Sequence, residues 1–304
     1  MEPGTPIPFV VGCGRSGTTI LRLMLNAHPD LAVPPESHFL RRVAERPDRT
    51  TPAGLLESAL SSERFADWGI DADDVRTQAS RRPPGSLAEA TDLLFSKYAQ
   101  AHGKPRWGDK TPPYVMCMDG LSKILPDARF VHIIRDGRDV ALSYSSVSFG
   151  PRDDPVAQAE FWSRRVEAGR RSGERLGPDR YLEVRYEDLV GDSEAALTTI
   201  CRSIDLPFDA GMLRYQATVE EALPSSKHVY HTNAAKPLAR NLRDWREAMS
   251  PEDVAAFEAV ASDLLRQLGY EVSGEQPPPG IARRVAVERL RHKIGTFGTR
   301  LGRP

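Results

Sequence analysis

Apolar residues in this chain fall into short continuous runs set between longer stretches with helical spacing. Ile7–Gly12 is such a run and reads as a buried strand. It is followed by a helix from about Gly17 to Ala27, with Ile20, Leu21, Leu23, Met24 and Leu25 on a broad apolar face. His28-Pro29-Asp30 ends that helix, because the residue before a proline leaves the helical region. Leu31-Ala32-Val33 gives a short extended segment into Pro34-Pro35-Glu36. From Arg41 to Pro105 the chain is polar and broken by prolines, with helices expected near Ala53–Ser61, Asp71–Ser80 and Ser86–His102 as an insertion over the sheet edge. The core resumes at Arg106–Lys110, then a helix to about Leu125 and the clearest strand, Arg129–Arg135. Helices at about Asp139–Ser148 and Pro155–Leu176 precede a strand at Tyr181–Arg185, after which helices dominate to Leu268.

Strands alternating with helices predict an α/β fold with a P-loop-type central parallel sheet and right-handed crossovers. Ligands on such sheets bind beyond the C-terminal ends of the strands. Glu36, Lys110 and Arg135 all fall at or just after an expected strand, and are therefore read as one site. The expected division is a domain over 1–273 (insertion about 41–105) and a linker with a basic tail over 274–304. That tail carries seven Arg or Lys after Gly280 against the single Glu288, with Val287, Leu290 and Ile294 at helical spacing. It is read as a solvated terminal helix, with peripheral contact to anionic lipid, acidic substrate or a partner subunit as the other readings.

Composition narrows the classes. Lys and Arg total 41 against 42 Asp and Glu, so no global field marks nucleic acid as a partner. Cys13, Cys117 and Cys201 are far apart, without metal-ligand spacing or a disulfide framework. With no signal-peptide pattern and no run of 18 apolar residues, a soluble cytoplasmic protein is expected.

The densest chemistry is Gly12-Cys13-Gly14-Arg15-Ser16-Gly17-Thr18-Thr19. A strand, a glycine turn and a helix start place backbone N–H groups around an anion. The spacing matches the nucleotide-binding P-loop, but Thr18 stands where that motif needs the lysine that reaches a terminal phosphate. A phosphotransferase needing Mg²⁺ and ATP is thereby disfavoured, and Arg15 supplies a cation within the loop. The same glycines also read Gly-x-Gly-x-x-Gly with Glu36 some 20 residues on, the pattern of a dinucleotide oxidoreductase. The crowded Arg15–Thr19 anion cluster and the prolines before Glu36 fit that pattern poorly.

A second cluster is Arg135-Asp136-Gly137-Arg138-Asp139 with Ser143. Arg135 and Ser143 can converge on one anion, or Arg135 can pair with Asp136 or Asp139 at a helix start. Two anion sites on one sheet point to a nucleotide phosphorylated at both its 5′ and 3′ positions.

These motifs resemble the sulfotransferases that use 3′-phosphoadenosine 5′-phosphosulfate (PAPS). Arg15–Thr19 with Gly14 resembles their 5′-phosphosulfate loop, and Arg135 with Ser143 their 3′-phosphate pair. Arg22–Pro29, Lys110-Thr111-Pro112 and Tyr186-Glu187-Asp188-Leu189 are similar to the tyrosylprotein branch, which is anchored in a secretory membrane. The resemblance implies PAPS as donor without a metal, a hydroxyl-bearing acceptor (glycan, lipid, natural product or tyrosine), Glu36 as general base, and Arg15 and Lys110 steadying the transferring group. It further implies nucleotide contacts from Tyr186 and from Lys236, which precedes Pro237. Pro112 occupies the place where small-molecule sulfotransferases carry a catalytic histidine, which leaves Glu36, with His28 and His38 as other candidate bases. Each residue also has a plain reading: Glu36 an exposed loop carboxylate, Lys110 an ion pair with Asp109, Tyr186, Trp107 and Trp162 core aromatics, His28 an end cap for its helix.

Overall fold

A computed structural model describes residues 4–219 and 244–285. Lys236 and the basic stretch with Val287, Leu290 and Ile294 lie outside the described residues. By its contacts the chain divides into one unit of residues 1–135 and 165–240 and another of 136–164 and 241–304.

The first unit is built on four parallel strands in the order β4-β1-β5-β6. These are β1 (Ile7–Gly12), β4 (Asp109–Lys110), β5 (Ala128–Ile134) and β6 (Tyr181–Arg185). Register pairs Val10 with Lys110 on one side and with Val131 on the other, and Ile134 with Arg185. Every residue of β1 is buried, as a strand covered on both faces requires. Ile7, Phe9 and Val11 join one apolar cluster, and Val10 joins another on the opposite face. A separate two-stranded sheet pairs β2 (Leu31–Ala32) with β3 (Arg106–Trp107).

The cluster on the Val10 face is made by α1 (Thr18–Asn26), α10 (Tyr186–Gly191), α11 (Ser193–Ser203) and the 3₁₀ segment Ala210–Thr218. The Phe9 face is covered by the proline-rich segment, folded as α2 (Leu40–Glu45), α3 (Pro52–Leu60), α4 (Glu63–Ala66), α5 (Ala72–Arg81) and α6 (Leu87–Ala101). These helices were expected at a sheet edge; instead they complete the core of the sheet. Phe95 stacks on Trp107 at 4.5 Å, and Trp68 meets Phe95 edge-on at 4.8 Å. Sparse apolar positions between prolines were enough, because α3 to α6 each start on their own cap: Thr51, Ser62, Asp71 and Ser86 each accept a backbone N–H of the first turn. Between β4 and β5 lie a 3₁₀ turn, Pro112–Met116, and α7 (Met118–Ile124).

In the second unit, α8 (Gly137–Ser145) starts directly after the unit boundary, and α12 (Trp245–Ala248) and α13 (Pro251–Gln267) follow later in the chain. Helix α9 (Pro155–Leu176) gives residues 155–164 to this unit and the rest to the first. Gly137 has no room for a side chain, since a Cβ there would lie 2.6 Å from both Phe257 and Trp162.

Candidate active site

All four strands of the main sheet run the same way, so their C-terminal ends present four consecutive pieces of chain on one side. β1 runs into the glycine loop, β4 ends at Lys110, β5 leads to Arg135 and β6 to Tyr186. Side-chain geometry joins these pieces.

The loop is strained into shape and has no room to relax. Gly12 has φ 151° with Ile133 O at 2.5 Å from where a Cβ would sit. Gly17 has φ 93°, and a Cβ there would meet the Tyr186 ring at 2.3 Å. Arg15 holds a left-handed φ of 70° without that freedom, a cost seen where a loop is shaped for a ligand. Gly17 is also the N-cap of α1, and it offers no side-chain oxygen to the first turn. The helix start therefore keeps backbone N–H donors that no cap satisfies, with the positive end of the helix dipole behind them. Ser16 is fully buried and its Oγ has no hydrogen-bond partner. A buried orphan hydroxyl beside an uncapped helix start fits an oxyanion ligand: the missing partner is an acceptor.

Tyr186, packed on Gly17, also lies under the Arg135 guanidinium at 4.5 Å. On the other side of the loop, Lys110 Nζ reaches Thr19 Oγ1 at 3.5 Å. It forms an ion pair with Glu36 Oε1 at 2.6 Å. The second Glu36 oxygen, Oε2, faces His38 Nε2 at 2.8 Å. Burial alone would raise the Glu36 pKa, but Lys110's charge and the hydrogen bonds from His38 and Lys110 outweigh it and hold the carboxyl well below its ordinary value.

The pairing of Lys110 with Asp109 does not form, because neighbours on a strand point to opposite faces. Asp109 is buried away from Lys110's partner: its Oδ2 accepts from Thr111 Oγ1 at 3.3 Å, and burial pushes its carboxyl up to about 6. Arg135 sits over Tyr186, and the bidentate partner of Asp136 is Arg138. Ser143 is buried in α8, within the other unit from Arg135. His28 is not an end cap: its Nε2 meets Pro207 O at 2.9 Å, and its Nδ1 accepts the Asp30 N–H at 3.0 Å. Trp107 and Trp162 are core residues with no exposure.

Residues that fix Glu36 escaped the sequence reading. Arg22, on α1 and 1% exposed, donates through Nε to Val33 O at 2.9 Å and Pro34 O at 3.0 Å, bracing the chain just before Glu36. After it, Ser37 N–H donates to Thr111 Oγ1 at 3.0 Å, and Ser37 Oγ lies 2.7 Å from Tyr114 Oη. A lone arginine in an apolar helix was the available signal for Arg22; the Ser37 contacts span 74 residues or more and left none.

Comparison with known proteins then decides the family. The sequence profile of the sulfotransferase family matches residues 6–210, more than half of the chain. This chain belongs to the sulfotransferase family. Protein-tyrosine sulfotransferase A of Caenorhabditis elegans is 26% identical over 285 residues, covering 91% of this chain and 70% of that protein. The Drosophila melanogaster protein-tyrosine sulfotransferase is 24% identical over 282 residues, and this chain's match spans 54% of it, about half its length. The sulfotransferase domain from the Synechococcus PCC 7002 olefin synthase superposes with a TM-score of 0.64 at 25% identity, covering 88% of this chain and 95% of that one. The α/β fold with its parallel sheet, the sulfotransferase class of enzyme and the likeness to the tyrosylprotein branch therefore stand, and the phosphotransferase and oxidoreductase readings fall.

The cytoplasmic placement does not stand. Animal protein-tyrosine sulfotransferases, which are Golgi-resident enzymes, stand among the matching relatives. Widely spaced cysteines and short apolar runs reflect local composition and do not set a compartment. Among the described residues no helix is long and apolar enough to cross a membrane.

Proposed function

We propose that this sulfotransferase moves the sulfuryl group of PAPS to an acceptor hydroxyl, with Glu36 as general base. The observation that carries this reading is the loop: an uncapped helix start with the buried orphan Ser16 Oγ, set 3.5 Å from Lys110 through Thr19, and Lys110 in turn 2.6 Å from Glu36. Gly14, Arg15, Ser16, Gly17, Thr18 and Thr19 would hold the 5′-phosphosulfate oxygens, and Arg135 beside Tyr186 the 3′-phosphate. Ser143 and Lys236 are assigned to the nucleotide by the family resemblance alone. The acceptor oxygen bonds to sulfur, its proton passes to Glu36, and the sulfur–oxygen bond to the 5′-phosphate breaks with its electron pair on the phosphate. Lys110 and Arg15 offset the charge that develops on the leaving oxygen, so fixed cations supply what a metal would in other transferases. Acceptor classes in play are a tyrosine, as the names of the animal relatives state for them, and a glycan, lipid or natural-product hydroxyl.

Calorimetric titration with divalent metal chelated tests the nucleotide. The bisphosphate product 3′-phosphoadenosine 5′-phosphate should bind tightly while ADP and NAD bind poorly. Equal affinity for ADP would remove the 3′-phosphate from the reading, and a preference for NAD would overturn it.

A further inference from the structure

As base, Glu36 begins fully occupied, with Lys110 on Oε1 and His38 on Oε2. Lys110 has a second duty at the leaving oxygen, and its 3.5 Å approach to Thr19 Oγ1 already leans toward the loop. When it turns there, Oε1 is vacated and only His38 still holds the carboxylate.

The backbone around His38 is arranged for that purpose. His38 has φ 56°, and Phe39 N–H donates to Ser37 O at 2.7 Å, closing a strained three-residue turn. The turn is clamped on both sides, by Ser37 N–H on Thr111 Oγ1 at 3.0 Å and by Leu40 N–H on Tyr114 Oη at 2.9 Å. Glycine would take this conformation at less cost. Nor does burial account for histidine here, since the side chain is 35% exposed. What the strain secures is the ring's bond to Glu36, and strain of this kind collects at functional sites.

We propose that His38 is a positioning residue for sulfuryl transfer: its ring donates Nε2–H to Glu36 Oε2 and keeps the carboxylate aimed while Lys110 serves the donor, leaving Oε1 to take the acceptor's proton. The proposal rests on Glu36 being the base. The other charged groups near the pair are Lys110 and Asp109 from β4 and Arg22 from α1. Of these, burial raises the Asp109 carboxyl to about 6, so an acid limb in turnover is assigned to it.

The test measures release of 3′-phosphoadenosine 5′-phosphate from PAPS, with water and with phenols of graded acidity as acceptors, across pH. His38→Asn keeps the left-handed backbone but its amide is too short to reach the place of Nε2; His38→Gln extends an amide donor back toward that place. His38→Asn should lose about 10- to 100-fold in kcat, the range for partners that orient a reacting group, with product-nucleotide affinity unchanged. The loss should be greatest for the least acidic phenol and absent for a nitrophenol already ionised. His38→Gln should recover part of the rate. Wild-type kcat in His38→Asn would overturn the proposal, as would a variant that loses only thermal stability. Glu36→Gln is run beside it and should lower turnover about 10²- to 10⁴-fold. Retained turnover there sinks the base assignment itself; collapse there with a normal His38→Asn sinks only the role of His38.

Discussion

Two clusters of charged side chains, one in each unit, use the same chemistry to opposite ends. In the second unit Arg138 is fully buried and saturated. Its guanidinium takes both Asp136 oxygens at 3.0 and 2.7 Å, Glu258 Oε1 at 2.6 Å and Glu271 O at 2.8 Å. The Trp245 ring covers its face at 3.6 Å. Every strong donor and both carboxylates are spent on the fold. The Glu36–Lys110–His38 cluster of the first unit is open on one side, with Glu36 24% exposed. It lies beside a loop whose Ser16 hydroxyl lacks a partner. Saturation marks a structural cluster, whereas unspent hydrogen-bonding capacity next to a held carboxylate marks one prepared for a ligand.

Breaking the saturated cluster should produce the largest effect on stability. Arg138→Met strands two buried carboxylates and should cost about 3–5 kcal/mol in urea unfolding. A loss below about 1 kcal/mol would mean that the cluster is no keystone. Arg135→Ala, three residues earlier, should behave differently: near-normal stability, with affinity for 3′-phosphoadenosine 5′-phosphate weakened by about 1.5–3 kcal/mol, the range for a hydrogen bond to a charged group. Unchanged affinity by calorimetry removes Arg135 from the nucleotide. Ser16→Ala is the subtlest probe. Removing an unpartnered hydroxyl should leave the free protein as stable as before, while the nucleotide loses about 0.5–1.5 kcal/mol. A destabilised free protein with unaltered binding would show that the hydroxyl serves the fold.

A pH experiment sharpens the contrast between open and closed sites from a third position. His132, fully buried on β5 with Nδ1 2.7 Å from Tyr181 Oη, is pulled down to about 3, chiefly by burial. A folded-state value below the unfolded one means that the unfolded chain binds the extra proton first. Stability from this group is thus present above the ordinary histidine value and lost as pH falls toward about 3, by up to about 1.4 kcal/mol per pH unit. Asp109, raised to about 6, works the other way, destabilising as pH rises from the ordinary aspartate value to about 6. Urea midpoints of His132→Gln against the parent between these limits should expose the Asp109 slope that the histidine masks. Parallel curves would refute the His132 contribution.

Much of the site was readable along the chain because its parts are local. A glycine loop after a buried strand, and a lysine and an arginine at strand ends, are patterns within a few residues of one another. Parallel strands carry such ends to one side whatever lies between them. The Asp136 assignment shows where this stops. Asp136 caps α8 by accepting the Arg138 N–H at 3.0 Å, and that turn curls the Arg138 side chain onto the same carboxylate. Charge spacing alone did not separate Arg138 from Arg135 as its partner.

What linear order settled, then, was the alternation of strand and helix, the anion loop and the family they announce, since each depends on the period of apolar residues and on turn chemistry within one element. The packing of distant elements settled the rest. It turned Lys110 from Asp109 to Glu36, 74 residues away, placed Tyr186 against Gly17 and Arg135, and made the proline-broken helices half of the core. It also drew His38 onto Glu36 by clamping its neighbours to Thr111 and Tyr114. Contacts at that separation follow from which faces the folded sheet leaves to be covered, and no short-range pattern encodes them.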